Sequence, residues 1–370
     1  MTTIQTLYDE FGQSPWIDNL RRDWLVDGTL ASFVEQGVRG VTSNPSILAK
    51  ALATSNAYDS AISKLGDMGV EQAFESLAVA SVRDACDVLA GVHKSAAEEF
   101  RSGTRRYGDG FVSLEVSPRL AHDTAGTIAA VTRLHAEVGR DNVMIKIPAT
   151  KEGLPAITAA LGAGINVNVT LIFSIDRYDE VLSAWMSGVE AAESRGVDVG
   201  SLSSVASFFV SRVDVAVDPL LPEGSPLRGT IANAQVARAY RLFRERMADD
   251  RASALLERGA QVQRPLWAST STKNPAYNDL LYVDTLVADE TVNTMPDSTL
   301  AAELDHGRFD RSELGDADSI ESASRRIDEL PAGVSLQAVT DRLEIDGVAA
   351  FAASYDEVLA TVSAKLQRRR

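Results

Sequence analysis

Eight short apolar or alternating runs punctuate the chain, each separated from the next by stretches of helical period, and this alternation restricts the fold more than any other feature. The runs are PWID (15–18), VRGVTSN (38–44), FVSLEV (111–116), VMIKIP (143–148), NVNVTLIF (166–173), SVASFFV (204–210), RPLWAST (264–270) and TVNTM (291–295). Between them lie TLASFVEQG, VEQAFESLAVASVRDACDVLAGVHKSAAEEF, TAGTIAAVTRLHAEVG, LPAITAALGAG and RYDEVLSAWMSGVEAAESRG, all patterned as amphipathic helices. Strand alternating with helix predicts a parallel sheet, and eight repeats predict an α/β fold of the (β/α)8 TIM-barrel type. A doubly wound open sheet is the alternative. The segments 45–110 and 213–263 exceed one crossover helix and predict extra helices, including ANAQVARAYRLFRERM. Residues 305–370 follow the eighth run and read as a helical extension, packed on the outside of the barrel or over its mouth. No linker or low-complexity tract divides the chain, so a single barrel domain over 1–370 is expected.

Composition narrows the function. A hydrophobic content of 45% with 24% charged residues supports a large core. The net charge of -16 argues against nucleic acid or an anionic membrane as partner, so any anionic substrate needs a local basic cluster. The terminal QRRR follows a helical pattern and suits the negative end of its dipole. The single cysteine, Cys86, rules out an internal disulfide and lies in a helical pattern as a buried structural thiol. The opening MTTIQTLYDEFGQSPW carries no signal pattern and no run of 18 apolar residues occurs, so a cytoplasmic location is expected. His93, His122, His135 and His306 have no metal-ligand spacing. GAGINV (162–167) leads into a strand and reads as a helix-to-strand turn instead of a nucleotide loop.

Side chains of a strand alternate between two faces, so parity sorts them. In NVNVTLIF, Asn166, Asn168 and Thr170 share one face while Val167, Val169 and Leu171 share the other. A strand of an ordinary parallel sheet, buried on both faces, reads apolar throughout; here one face is polar, as a lumen holding a polar ligand requires. The same parity pairs Trp16 with Asp18, Thr42 with Asn44, Ser113 with Glu115, Met144 with Lys146 and Ser207 with Phe209. Each polar residue alone has a plain structural explanation. Asp18 and Asn44 suit helix caps, Glu115 and Lys146 suit an ion pair between neighbouring strands, and Ser207 suits a small core position. Their concentration on six strands is what points to a site.

Lys146 stands between Met144, Ile145 and Ile147. Burial disfavours an ammonium, and an amine freed of its proton attacks a carbonyl to form a Schiff base, whose iminium is an electron sink for carbon–carbon cleavage. That chemistry also needs a carboxylate to take a hydroxyl proton and an acid/base group for the carbinolamine, for which Asp18 and Glu115 are the candidates.

These residues sit in QSPWIDNL, GVTSNPSI, VSLEVSP, NVMIKIPAT, GINVNVTLIFS, ASFFVSRVD and WASTSTKNPAYNDLLYVDTL, which run in order from residue 13 to about 286. With them the chain resembles the transaldolases, Schiff-base enzymes of the non-oxidative pentose phosphate pathway, in their longer bacterial form. The resemblance implies a (β/α)8 barrel with the Schiff-base lysine, Lys146, on the fourth strand. It implies that Asp18 exchanges the proton of the substrate C4 hydroxyl, and that Glu115 with Thr170 positions a catalytic water. Asn44 and Asn168, with Thr42 and Ser207 beside them, match the residues that hold the dihydroxyacetone hydroxyls, and Phe209 matches the aromatic near the site. Arg212 and Ser269 match the phosphate-binding pair. Where many transaldolases carry a second arginine two residues after that serine, this chain has Ser271, with Lys273 as the candidate replacement cation.

The implied reaction moves dihydroxyacetone from a ketose phosphate (sedoheptulose 7-phosphate or fructose 6-phosphate) to an aldose phosphate (glyceraldehyde 3-phosphate or erythrose 4-phosphate). It needs no metal or organic cofactor, because the lysine is the electron sink. Sugar phosphates are the expected partners, and the family includes monomers and homodimers. Two other readings compete. A fructose-6-phosphate aldolase of the same superfamily is much shorter and tends to carry glutamine in place of Glu115, and a non-catalytic sugar-phosphate binder has no use for a desolvated lysine between two carboxylates.

Overall fold

The computed structural model describes residues 2–43, 57–62, 65 and 68–367. Eight parallel strands close into a barrel in chain order: β1 Gln13–Asp18, β2 Gly40–Thr42, β3 Val112–Glu115, β4 Val143–Pro148, β5 Val167–Ile172, β6 Ser204–Phe209, β7 Gln263–Ala268 and β8 Thr291–Met295. Closure through the β1–β8 pairing, Gln13 against Thr291 to Ile17 against Met295, excludes the open sheet. Each strand matches one of the eight runs read from sequence. The second is shorter than its run, and Asn44 at the end of that run lies outside the described residues.

Apolar side chains separate into two bodies. The larger fills the space between the outward strand faces and the surrounding helices, and includes Val41, Ile145, Ile147, Val167 and Val169. The smaller lies inside the barrel and joins Trp16, Phe111, Met144, Leu171, Phe173, Val205, Phe209, Leu266, Ala268, Val292 and Phe351. Strand parity therefore sorts lumen from exterior as expected, with one correction. Leu171 belongs to the lumenal group and not to the face of Val167 and Val169. Its φ of 60° and the register shift between Val169 and Ile172 mark a bulge, which re-aims the side chain after Thr170.

The amino ends of the strands are closed by packing and by a buried ionic network. Trp16 needs Gly40 on the neighbouring strand, because a Cβ there would lie 2.3 Å from the indole. The Asp109 carboxylate accepts from Trp16 Nε1 at 2.9 Å and from Arg39 Nε at 3.0 Å, with Arg264 Nη2 at 3.4 Å. Burial alone would raise this carboxyl, but Arg264 and Arg39 outweigh it and hold it below the ordinary carboxylate range. With this end sealed, a ligand reaches the lumen from the carboxyl ends of the strands, as barrel architecture dictates.

The long crossovers hold helices as expected: Val70–Arg101 between β2 and β3, then Ile231–Met247 and Asp250–Glu257 between β6 and β7. Gly164, with φ +79°, makes the turn from helix Gly153–Gly162 into β5. Cys86 is buried on the Val70–Arg101 helix, and burial pushes its thiol up to about 12, as an inert structural cysteine requires. After β8 come helices Asp297–His306, Ala317–Arg325 and Leu336–Gln367. Among the described residues no helix is long and apolar enough to cross a membrane.

Candidate active site

Lys146 is the fourth residue of β4, paired in register with Glu115 on β3 and Asn168 on β5. Its parity points it into the lumen, where only 5% of the residue is exposed. Nζ lies 3.5 Å from Glu115 Oε2 and donates to the Ser43 carbonyl at 3.4 Å. The plain alternative, an ion pair between neighbouring strands, is thus present, and it is set inside the cavity among further polar groups. At this separation the carboxylate orients the amine without a tight hydrogen bond, and Glu115 Oε2 has no hydrogen-bond partner among the described residues.

Asp18, the last residue of β1, accepts from Thr42 Oγ1 at 2.8 Å, and Thr42 Oγ1 lies 2.9 Å from Thr294 Oγ1 on β8. Burial raises the Asp18 carboxyl above its ordinary range, against the opposing pull of Lys146, the Thr42 hydrogen bond, Lys273 and Arg212. Burial likewise pushes Glu115 up from 4.5 to about 7, with Lys146 pulling down and Asp18 adding to the rise. Two carboxyls facing one ammonium cannot both be fully compensated, so one is poised to hold a proton near neutrality, where acid/base exchange is most effective.

This shift has a signed consequence for stability. Because folded Glu115 keeps a proton that the unfolded chain has already released, stability contributed at this site falls as pH rises from 4.5 through about 7. The melting temperature of Glu115→Gln relative to wild type is expected to rise across that window. A difference that stays constant over the window contradicts a raised carboxyl.

A second polar row crosses the lumen beside the amine. Ser207 Oγ donates to Asn168 Oδ1 at 2.7 Å, and Asn168 Nδ2 donates to Ser113 Oγ at 2.9 Å, linking β6, β5 and β3. These contacts fix the Asn168 amide orientation. Thr170 is fully buried, and its Oγ1 has no hydrogen-bond partner among the described residues. Phe209 is 6% exposed and packs against Phe173 with ring centroids 5.0 Å apart.

The cationic edge is formed after β6 and β7. The guanidinium of Arg212 lies 5.2 Å from the Phe209 ring centroid, and desolvation lowers its pKa while Asp18 opposes. Ser269 follows β7 with φ 59°, a left-handed conformation costly for a serine, and its Oγ lies 3.0 Å from Ser211 Oγ. Lys273 donates to Ser271 Oγ. Its pKa is pushed down by desolvation and then by the Arg212 cation, with Asp18 pulling the other way. Two cations that repel one another near one carboxylate make a site that gains by binding an anion.

Four participants escaped the sequence reading. Ser43 acts through its backbone carbonyl, which no side-chain pattern reveals. Ser113 is marked in the sequence only as the face-mate of Glu115, and Thr294 only by the lumenal parity it shares with Val292 in TVNTM. Phe351 comes from the C-terminal helix, and its ring centroid is 5.9 Å from Lys146 Nζ.

The model of the transaldolase/fructose-6-phosphate aldolase family matches residues 15–362. The chain belongs to this family. Transaldolase 1 of Streptomyces coelicolor is 46% identical over 377 aligned residues, which cover 99% of this chain and 95% of that protein. The transaldolase of Frankia alni is 45% identical, covering 96% of each chain, and that of Saccharopolyspora erythraea is 43% identical over the full length of both. The similarity thus spans the barrel and the C-terminal helices together.

Proposed function

We propose that this chain is a transaldolase, which transfers a dihydroxyacetone unit from a ketose phosphate to an aldose phosphate through a Schiff base on Lys146. The observation that carries the reading is a lumenal amine with a carboxylate 3.5 Å away and a second carboxylate raised by the same cavity. Lys146 attacks the ketose carbonyl. Glu115, near its titration midpoint at neutral pH, gives a proton to the departing hydroxyl of the carbinolamine and, with Thr170, holds the water that later reverses the step. Asp18 takes the C4 hydroxyl proton, the C3–C4 bond breaks, and its electrons pass into the iminium to give an enamine. Thr170 Oγ1 and Glu115 Oε2, neither of which holds a hydrogen bond among the described residues, support this division of labour, since both can still bond to water or substrate.

Asn168, aligned by Ser113 and Ser207, is read as a holder of the dihydroxyacetone hydroxyls together with Thr42 on β2 and Asn44, which lies outside the described residues, with Phe209 as an apolar wall. Arg212, Ser269 and Lys273 are read as the phosphate grip. Lys273→Ala is expected to raise KM for a sugar phosphate about tenfold, the scale of one charge-assisted hydrogen bond, with kcat little changed. An unchanged KM would remove Lys273 from the grip. We also read residues 305–370 as part of the barrel domain, because Val358 and Val362 are fully buried in the core shared with it.

The direct test is a coupled assay with sedoheptulose 7-phosphate and glyceraldehyde 3-phosphate. Production of fructose 6-phosphate and erythrose 4-phosphate is expected. Release of free dihydroxyacetone as the main product would favour the aldolase side of the family, and reversible binding without turnover would favour a binding protein.

A further inference from the structure

The C-terminal helix Leu336–Gln367 is last in the chain, yet it reaches the reactive centre. Its buried residues, Thr340, Gly347, Phe351, Tyr355, Val358 and Val362, fall on one helical face. At Gly347 a Cβ would lie 3.2 Å from Leu171 Cδ2 and 3.3 Å from Phe173 Cε2, so the missing side chain lets the helix settle onto the end of β5. One turn later Phe351 enters the lumenal cluster, 6% exposed, with Lys146 Nζ 5.9 Å from its ring. Polar ties hold the helix on both sides of this residue. Arg177 pairs with Glu344 at 3.4 Å, Arg119 pairs with Asp356 at 2.7 Å, and Tyr355 OH donates to Glu71 Oε1 at 3.2 Å.

We propose that Phe351 is a specificity-determining residue of the transfer reaction: its ring covers the Lys146 enamine and reserves it for an aldehyde in preference to water. This rests on the reading of Lys146 as the Schiff-base lysine. After cleavage the enamine carbon has two fates. It attacks the acceptor aldehyde, whose oxygen takes a proton as the new carbon–carbon bond forms, and the iminium returns. Alternatively the carbon takes a proton supplied by water, the resulting iminium adds hydroxide, the carbon–nitrogen bond breaks, and free dihydroxyacetone leaves with the amine restored. The second route consumes one water and needs no other reactant. The iminium is common to both branches, so the ring discriminates at the enamine, where it offers a water molecule no hydrogen-bond partner from which to deliver a proton. The ring therefore disfavours the hydrolytic branch while leaving transfer open.

The test uses full-length wild type, Phe351→Ala and Phe351→Leu with fructose 6-phosphate as donor and erythrose 4-phosphate as acceptor. It measures free dihydroxyacetone released per sedoheptulose 7-phosphate formed, together with borohydride labelling of Lys146. The alanine variant is expected to raise that ratio about tenfold or more, equivalent to one decade in relative barrier, and the leucine variant to restore most of the wild-type ratio, with label retained in both. An unchanged ratio in a labelled Phe351→Ala overturns the proposal, as does a parallel loss of label and transfer, which would make the ring a packing residue only. Wild type that neither labels nor transfers overturns the transaldolase reading itself, and this inference with it.

Discussion

Lys146→Arg is expected to fold and to lose transfer by about 10^4-fold or more, the scale on which removal of a covalent nucleophile acts. Arginine keeps one positive charge opposite Glu115 and Asp18, so the charge balance of the cavity is that of the wild type, which is why this change is preferred to a neutral one. A guanidinium cannot form the imine. Circular dichroism and the melting temperature check that the barrel persists, and the coupled assay checks turnover. A folded variant keeping more than about a hundredth of wild-type activity would mean that Lys146 contributes charge alone.

The second large effect falls on carbon–carbon cleavage. Asp18→Asn removes the proposed base but keeps an oxygen able to accept from Thr42, so local geometry is preserved. Turnover is expected to fall about 10^2- to 10^4-fold, the usual contribution of a positioned general base. Borohydride labelling of Lys146 by a ketose phosphate should survive, because in the proposed mechanism imine formation precedes the step assigned to Asp18. Rapid-quench measurement of label and aldehyde product separates the two. Loss of label along with turnover would assign Asp18 to imine formation instead.

The barrel was legible because both periods that define it are written locally. VMIKIP and TVNTM coincide with β4 and β8 to the residue, and helical patterns lie between the runs as a parallel closed sheet requires. Parity also placed Lys146, Asn168, Ser207 and Phe209 in the lumen, since side-chain alternation needs no knowledge of tertiary contacts. It failed at Leu171, where a positive φ interrupts the alternation that the rule assumes. Contacts between distant segments were out of reach for a different reason. An apolar face on helix Leu336–Gln367 states that something is covered without saying what, and nothing local pairs Asp109 with Arg39 and Arg264 across the barrel floor. Lys273 was legible only as a nearby cation, and its electrostatic coupling to Arg212 supplies the spatial argument that a loop sequence lacks.

The proposed Schiff base bonds the Lys146 nitrogen to the substrate carbonyl carbon. Incubating the protein with fructose 6-phosphate, reducing with borohydride and mapping the product by peptide mass spectrometry tests it most directly. A three-carbon adduct is expected on the peptide that contains Lys146, absent without reductant and absent in Lys146→Arg. An adduct on another lysine, or sustained transfer with no reducible adduct, would contradict it.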